Sequence, residues 1–127
     1  MNKEVVLTKD APAPIGPYSQ AIRSGDFLFC SGQIPLDPIS GEVVGSGDVE
    51  LQTKQVMKNI SAVLKTAGMN FQNVIKTTIY LKNMADFPKV NPIYGEFFQQ
   101  PYPARSTVEV ARLPKDVLVE IEVTCRA

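Results

Sequence analysis

Near the end of the chain, Val117-Leu118-Val119-Glu120-Ile121-Glu122-Val123-Thr124-Cys125 alternates between aliphatic and mostly polar residues. An extended backbone sends successive side chains to opposite faces, so Val117, Val119, Ile121, Val123 and Cys125 line one side and Leu118, Glu120, Glu122 and Thr124 the other. A strand with one wholly apolar face needs a cover. The segment Val49 to Ala67 supplies one: Val56, Ile60, Val63, Leu64 and Ala67 recur at helical spacing with Lys54, Lys58 and Lys65 between them, and Gly68 marks the stop.

The remaining elements follow from local pattern. Ala21 to Ser24 and Phe27 to Ile34 flank Gly25-Asp26 and read as a β-hairpin, interrupted after Ile34 by Pro35, Pro38 and Gly41. Val74 to Leu81 is β-branched and strand-like. Met84 to Gln99 places Phe87, Val90, Tyr94, Phe97 and Phe98 at helical spacing, with Pro88 suited to the first turn and Pro92 expected to distort the helix. Ala104 to Val110 and Val117 to Cys125 close the chain as two strands. The order ββ, α, β, α, ββ predicts an α+β fold over residues 1–127 as one domain, with 44% hydrophobic residues to fill one core. Before the hairpin, Ala11-Pro12-Ala13-Pro14-Ile15-Gly16-Pro17-Tyr18 is too proline-rich for regular pairing and reads as a structured loop.

The chain contains no histidine, which excludes Ser-His-Asp and Cys-His catalysis and the HExxH zinc motif, leaving Glu, Asp, Tyr, Lys or Cys to move protons. Thirteen Lys plus Arg against thirteen Asp plus Glu give zero net charge, which argues against nucleic acid as a dedicated partner. Cys30 and Cys125 lie in separate apolar runs with no CxxC spacing, and read as buried thiols instead of metal ligands. No run approaches a membrane span, and Met1 to Thr8 lacks the apolar core of a leader, so a cytoplasmic location is expected, with no membrane partner.

In the strand Ala104 to Val110, the small residues Ala104, Ser106, Val108 and Val110 are expected to face the helices. Arg105, Thr107 and Glu109 would then share the uncovered side with Glu120 and Glu122. Leu118 and apolar residues of the hairpin on the same side would suit contact between copies of the chain.

Pro103-Ala104-Arg105-Ser106-Thr107-Val108-Glu109-Val110-Ala111-Arg112-Leu113, followed by Val119-Glu120-Ile121, closely resembles the C-terminal signature of the RidA (YjgF/YER057c/UK114) family. Ile15-Gly16-Pro17-Tyr18-Ser19-Gln20-Ala21 and Ser31-Gly32-Gln33-Ile34-Pro35 resemble its two N-terminal motifs, so the likeness covers almost the whole chain. The resemblance implies a chorismate-mutase-like subunit, a mixed β-sheet with two helices on one face, and a homotrimer with sites between subunits. It also implies hydrolysis of reactive 2-imino acids, such as 2-iminobutanoate and 2-iminopropanoate, to 2-keto acids and ammonia.

That chemistry suits particular residues. The planar fork of Arg105 would hold the substrate carboxylate, and Glu120 would orient a water and accept its proton. By resemblance, Tyr18 would hydrogen-bond the imine nitrogen or the water, Gly32 would let backbone approach the ligand, and Asn91 would stand near it. Many family members carry Cys where this chain has Thr107; thiol-linked redox behaviour is therefore not expected, while the Thr107 backbone N–H remains available to substrate. Imines hydrolyse spontaneously, so neither a metal nor an organic cofactor is called for. The competing reading is a non-catalytic module that binds small 2-keto acids or amino acids through Arg105; the acid at Glu120 separates the two, because it would only repel a carboxylate ligand. RNA cleavage finds little support in a neutral chain without histidine.

Overall fold

The computed structural model describes residues 3–127; Met1 and Asn2, which open the segment read above as lacking a leader core, lie outside the described residues. Its order is β1 (Glu4–Val6), β2 (Ala21–Ser24), β3 (Phe27–Cys30), α1 (Val49–Thr66), β4 (Val74–Leu81), α2 (Phe87–Gly95), β5 (Ala104–Glu109) and β6 (Val119–Arg126). The strands form one mixed sheet in the order β1-β2-β3-β6-β4-β5. Only β4 and β5 run parallel, joined by the crossover through α2.

The central strand behaves as its alternation requires. Val119, Ile121, Val123 and Cys125 are buried, and β4 sets Thr77, Ile79 and Leu81 beside them in antiparallel register. Above this floor lie Val56, Met57, Ile60, Val63 and Leu64 of α1, and Val90 and Tyr94 of α2. Helix α1 starts where Asp48 accepts hydrogen bonds from the Glu50 and Leu51 amides at 3.0 and 3.1 Å. At its other end the Arg23 guanidinium donates to the Ala67 carbonyl, tying the helix to the hairpin. No helix among the described residues is long and apolar enough to cross a membrane.

Several boundaries differ from the sequence expectation. Strand β1 is unanticipated, because three residues are too few to display an alternation; its register, Val5 against Ile22, comes from the neighbouring hairpin. Strand β3 ends at Cys30 instead of Ile34. Beyond it Gln33 bridges directly to β6, its N–H donating to Ile121 O at 2.9 Å and its carbonyl accepting from Ile121 N–H at 3.1 Å. Helix α2 is regular only over Phe87–Gly95, preceded by a 3-10 turn at Met84–Asp86. Pro88 occupies its first turn and Pro92 is accommodated inside it.

The largest correction concerns β5. Its register pairs Arg105 with Thr77, Thr107 with Ile79 and Glu109 with Leu81, and those β4 residues are buried under the helices. Arg105, Thr107 and Glu109 therefore lie on the helix side, whereas Ala104, Ser106 and Val108 lie on the open side with Lys76, Thr78, Tyr80, Glu120 and Glu122. No residue of this edge strand is fully buried, so apolar character could not indicate its inner face. Leu118 also departs from expectation. It precedes β6, packs against the core and donates its N–H to Gln52 of α1 at 2.8 Å, away from the open face.

Removing the cap by Asp48→Ala should cost about 1 kcal/mol and lower the melting temperature by a few degrees, because two amides at the start of α1 lose their acceptor. Differential scanning calorimetry measures it; an unchanged midpoint would show that the Asp48 contacts contribute nothing net.

Candidate functional site

Two clusters carry the residues picked out from the sequence, and the sheet separates them. The first surrounds Arg105. Its Nη1 donates to Asn91 Oδ1 at 2.8 Å, and its guanidinium carbon lies 5.2 Å from the Phe87 ring centre and 5.1 Å from that of Tyr94. Phe87, Asn91 and Tyr94 stand at i, i+4 and i+7 on α2, which brings all three to one stripe facing the β5 edge. Two aromatic rings and an amide thus fix a side chain that would otherwise be free at a sheet edge. The remaining guanidinium donors form no ion pair among the described residues. The Tyr94 hydroxyl shares a 2.8 Å hydrogen bond with Thr77 Oγ1, which anchors the ring, and burial raises its pKa above the usual phenol value. Thr107, half-buried, follows Arg105 on the same face. Beside Arg105 opens a cleft of about 470 Å³.

The second cluster joins Tyr18, Gly32 and Glu120. Gln20, 1% exposed, organises the proline-rich loop that presents Tyr18: its amide donates to the carbonyls of Thr8 at 3.0 Å and Pro12 at 2.9 Å and accepts from Thr8 N–H at 2.7 Å. The exposed Tyr18 hydroxyl accepts from Ile15 N–H at 3.3 Å. Across a cleft of about 210 Å³, the segment after β3 supplies Gly32. Its lack of a side chain has a local reason, since a Cβ at Gly32 would lie 2.1 Å from Glu120 Oε2 and 3.0 Å from its carboxyl carbon. The Glu120 carboxylate therefore rests against the Gly32 backbone. It accepts no hydrogen bond from the described residues, and burial, followed by the nearby charge of Glu122, holds its pKa above the ordinary carboxylate value. Glu122 itself accepts from the Tyr80 hydroxyl at 3.0 Å.

The expectation that Arg105 and Glu120 share the uncovered side of the sheet is thus corrected. Arg105 projects toward the helices from the edge strand, and Glu120 projects to the open face two strands inward. The structure unites Arg105 with Asn91, and Gly32 with Glu120, but within one chain it does not bring the two groups onto one ligand. Phe87 and Tyr94 were not anticipated as site residues; their helical spacing about Asn91 was the available signal. Cys30 and Cys125 belong to neither cluster. They lie on the neighbouring strands β3 and β6, where interaction with the Cys125 thiol, followed by burial, pushes the Cys30 pKa upward.

The endoribonuclease L-PSP family model matches residues 8–127. This chain belongs to that family, which includes the RidA and YjgF proteins. Reactive Intermediate Deaminase A of Arabidopsis thaliana is 50% identical over 122 residues, 96% of this chain and 65% of that longer protein. Among solved structures, the Rid family protein YyfA of Yersinia pestis superposes with a TM-score of 0.95 at 51% identity, covering 98% of this chain and 99% of that one. TdcF of E. coli, determined with bound serine, superposes with a TM-score of 0.93 at 41% identity, covering 98% and 99%. The mixed six-stranded sheet with two helices is therefore the family fold, as the sequence motifs implied.

Replacing Glu122 by Gln removes the repelling charge while leaving Glu120 half-buried, so the Glu120 pKa should fall yet remain above that of an exposed glutamate. Carboxyl-carbon NMR titration reads both values. Because the native state holds this proton more tightly than the unfolded chain, Glu120 lowers stability as pH rises through its titration range, and Glu120→Gln should not lower the melting temperature at pH 7.

Proposed function

We propose that the protein hydrolyses 2-imino acids to 2-keto acids and ammonia, in composite sites where Arg105, Asn91 and Thr107 of one subunit meet Tyr18, Gly32 and Glu120 of another. The observation that carries this reading is the division of the two clusters between opposite faces of the sheet. A carboxylate anchor and an acid with a raised pKa suit one substrate only if a second copy closes the site. The open face favours such assembly: Val5, Phe29 and Val108 are 64%, 51% and 40% exposed there. A homotrimer is the proposed assembly, as is characteristic of the family.

In this mechanism the substrate carboxylate takes the free donors of Arg105, and the Thr107 backbone N–H assists. With the imine nitrogen protonated, Glu120 accepts a proton from water as the oxygen bonds to the iminium carbon, giving a neutral carbinolamine. The same carboxyl then returns that proton to nitrogen, and as the C–N bond breaks the hydroxyl proton passes to the Glu120 carboxylate, releasing ammonia and the 2-keto acid. A raised pKa fits a carboxyl group that must both take and give a proton in one turnover. Tyr18 steadies the water or the nitrogen. Two carbon chain lengths, 2-iminopropanoate and 2-iminobutanoate, are the proposed small substrates, and the similarity to Reactive Intermediate Deaminase A supports this chemistry. Although the family carries an endoribonuclease name, zero net charge and the absence of histidine favour a small anionic substrate over RNA.

With imine generated in situ by a pyridoxal-dependent dehydratase, Arg105→Lys should lower kcat/KM at least about tenfold, since the charge stays but the fork is lost. Glu120→Gln should lose most turnover with its fold intact. The decisive measurement mixes the two variants: co-refolded in equal amounts, they should recover about a quarter of wild-type activity, because random assembly leaves that share of composite sites with both native halves. Recovery of none would place Arg105 and Glu120 outside a shared site.

A further inference from the structure

Within a single chain, the cleft beside Arg105 is larger than a methyl- or ethyl-bearing imino acid requires. Its volume of about 470 Å³ falls in the range of pockets that hold much larger ligands, roughly 300–1,000 Å³. Around it stand Tyr94, Gly95, Phe98, Tyr102 and Pro103, and Arg105 is the sole charged side chain in its lining. Tyr94 and Phe98 pack with ring centres 4.6 Å apart and form an aromatic floor. Tyr102 is 64% exposed at the rim, held between Pro101 and Pro103, and stacks on no other ring among the described residues.

Gly95 adds an independent observation. Of the eight glycines in the chain, six adopt positive φ and owe their identity to backbone conformation; Gly32 and Gly95 do not. Gly32 makes room for the Glu120 carboxylate. Gly95 ends α2, where alanine would favour the helix, and a Cβ there would meet nothing within 4 Å. Neither backbone strain nor packing calls for glycine at this position, and the visible consequence of its missing side chain is the open cleft.

We infer that this cleft is a side-chain subsite for aromatic 2-imino acids and their 2-keto acid products, with the ring lying among Tyr94, Phe98 and Tyr102 while the carboxylate binds Arg105. The inference deepens the proposed deaminase function and rests on it for the imino acid, but the subsite itself is testable by binding alone. A ring bound there exchanges water for aromatic and proline contacts, and no buried carboxylate opposes it.

Calorimetric titration of the wild-type oligomer with phenylpyruvate and with pyruvate provides the test. Phenylpyruvate should bind at least about tenfold more tightly. Gly95→Leu, which fills the cleft, should reduce that preference at least about fivefold, Gly95→Ala should do so by less, and Tyr102→Ala should also weaken it, with melting temperature recorded for each. Equal affinity of the wild type for the two acids, or an unchanged preference in folded Gly95→Leu, would overturn the subsite. Turnover is then measured on imines generated from L-phenylalanine and L-alanine by an amino acid oxidase. Tight, Gly95-sensitive binding of phenylpyruvate without hydrolysis of either imine upholds the subsite and overturns the deaminase reading; hydrolysis of the alanine-derived imine without phenylpyruvate preference does the reverse.

Discussion

The apolar face of β6 against the stripe of α1 is the contact on which the rest of the molecule depends. Val119, Ile121 and Val123 sit between β3 and β4, so burying them fixes the middle of the sheet and, through alternation, turns Glu120 and Glu122 to the other side. The carboxylate of Glu120 is thereby placed by the hydrophobic effect acting on its neighbours. A one-residue slip would bury both glutamates, an expensive error that the pattern itself prevents.

Polar groups on α1 then extend this order to the loops around the site. Asn59, fully buried, donates to the carbonyls of Ile34 at 3.3 Å and Leu36 at 3.0 Å, holding the segment just beyond Gly32. Gln52 accepts from Leu118 N–H at 2.8 Å and donates to Gly45 O at 3.1 Å, fastening the entrance to β6. These are buried amides satisfied by loop backbone, so the helix that covers the core also shapes the approach to Glu120. At the opposite edge, α2 serves Arg105 in a similar way, with Phe87, Asn91 and Tyr94 limiting its motion. In the proposed role of carboxylate anchor, a guanidinium held in this manner would lose less conformational freedom on binding than a free surface arginine.

Much of this was legible in the residues alone. The hairpin turn, the stripe of α1, the two faces of β6 and the motif residues Tyr18, Gly32, Asn91, Arg105 and Glu120 all follow from local pattern or family resemblance, because each signal lies within a few neighbouring positions. Gly32 and Glu120 do meet, although they stand 88 positions apart in the sequence and no local rule joins them. Strand β1 left no readable signal because a three-residue strand has no period, and β3 was read too long because the Gln33 bridge to β6 resembles continued pairing with β2 only in sequence.

The face chosen by β5 is where sequence and tertiary structure part. Alternation separates Arg105, Thr107 and Glu109 from Ala104, Ser106 and Val108, but it does not state which set turns inward, and at an edge strand with no fully buried residue hydrophobicity is a poor guide. The register with β4 decides it: Thr77 opposite Arg105 sends the guanidinium toward the rings of α2. Periodicity and side-chain chemistry were enough for the α+β architecture, the inner face of the central strand and the choice of candidate site residues. That Arg105 and Glu120 stand on opposite sides of the sheet emerged with the fold, because the parity of an edge strand is set by long-range hydrogen-bond register and by the aromatic surface on the neighbouring helix.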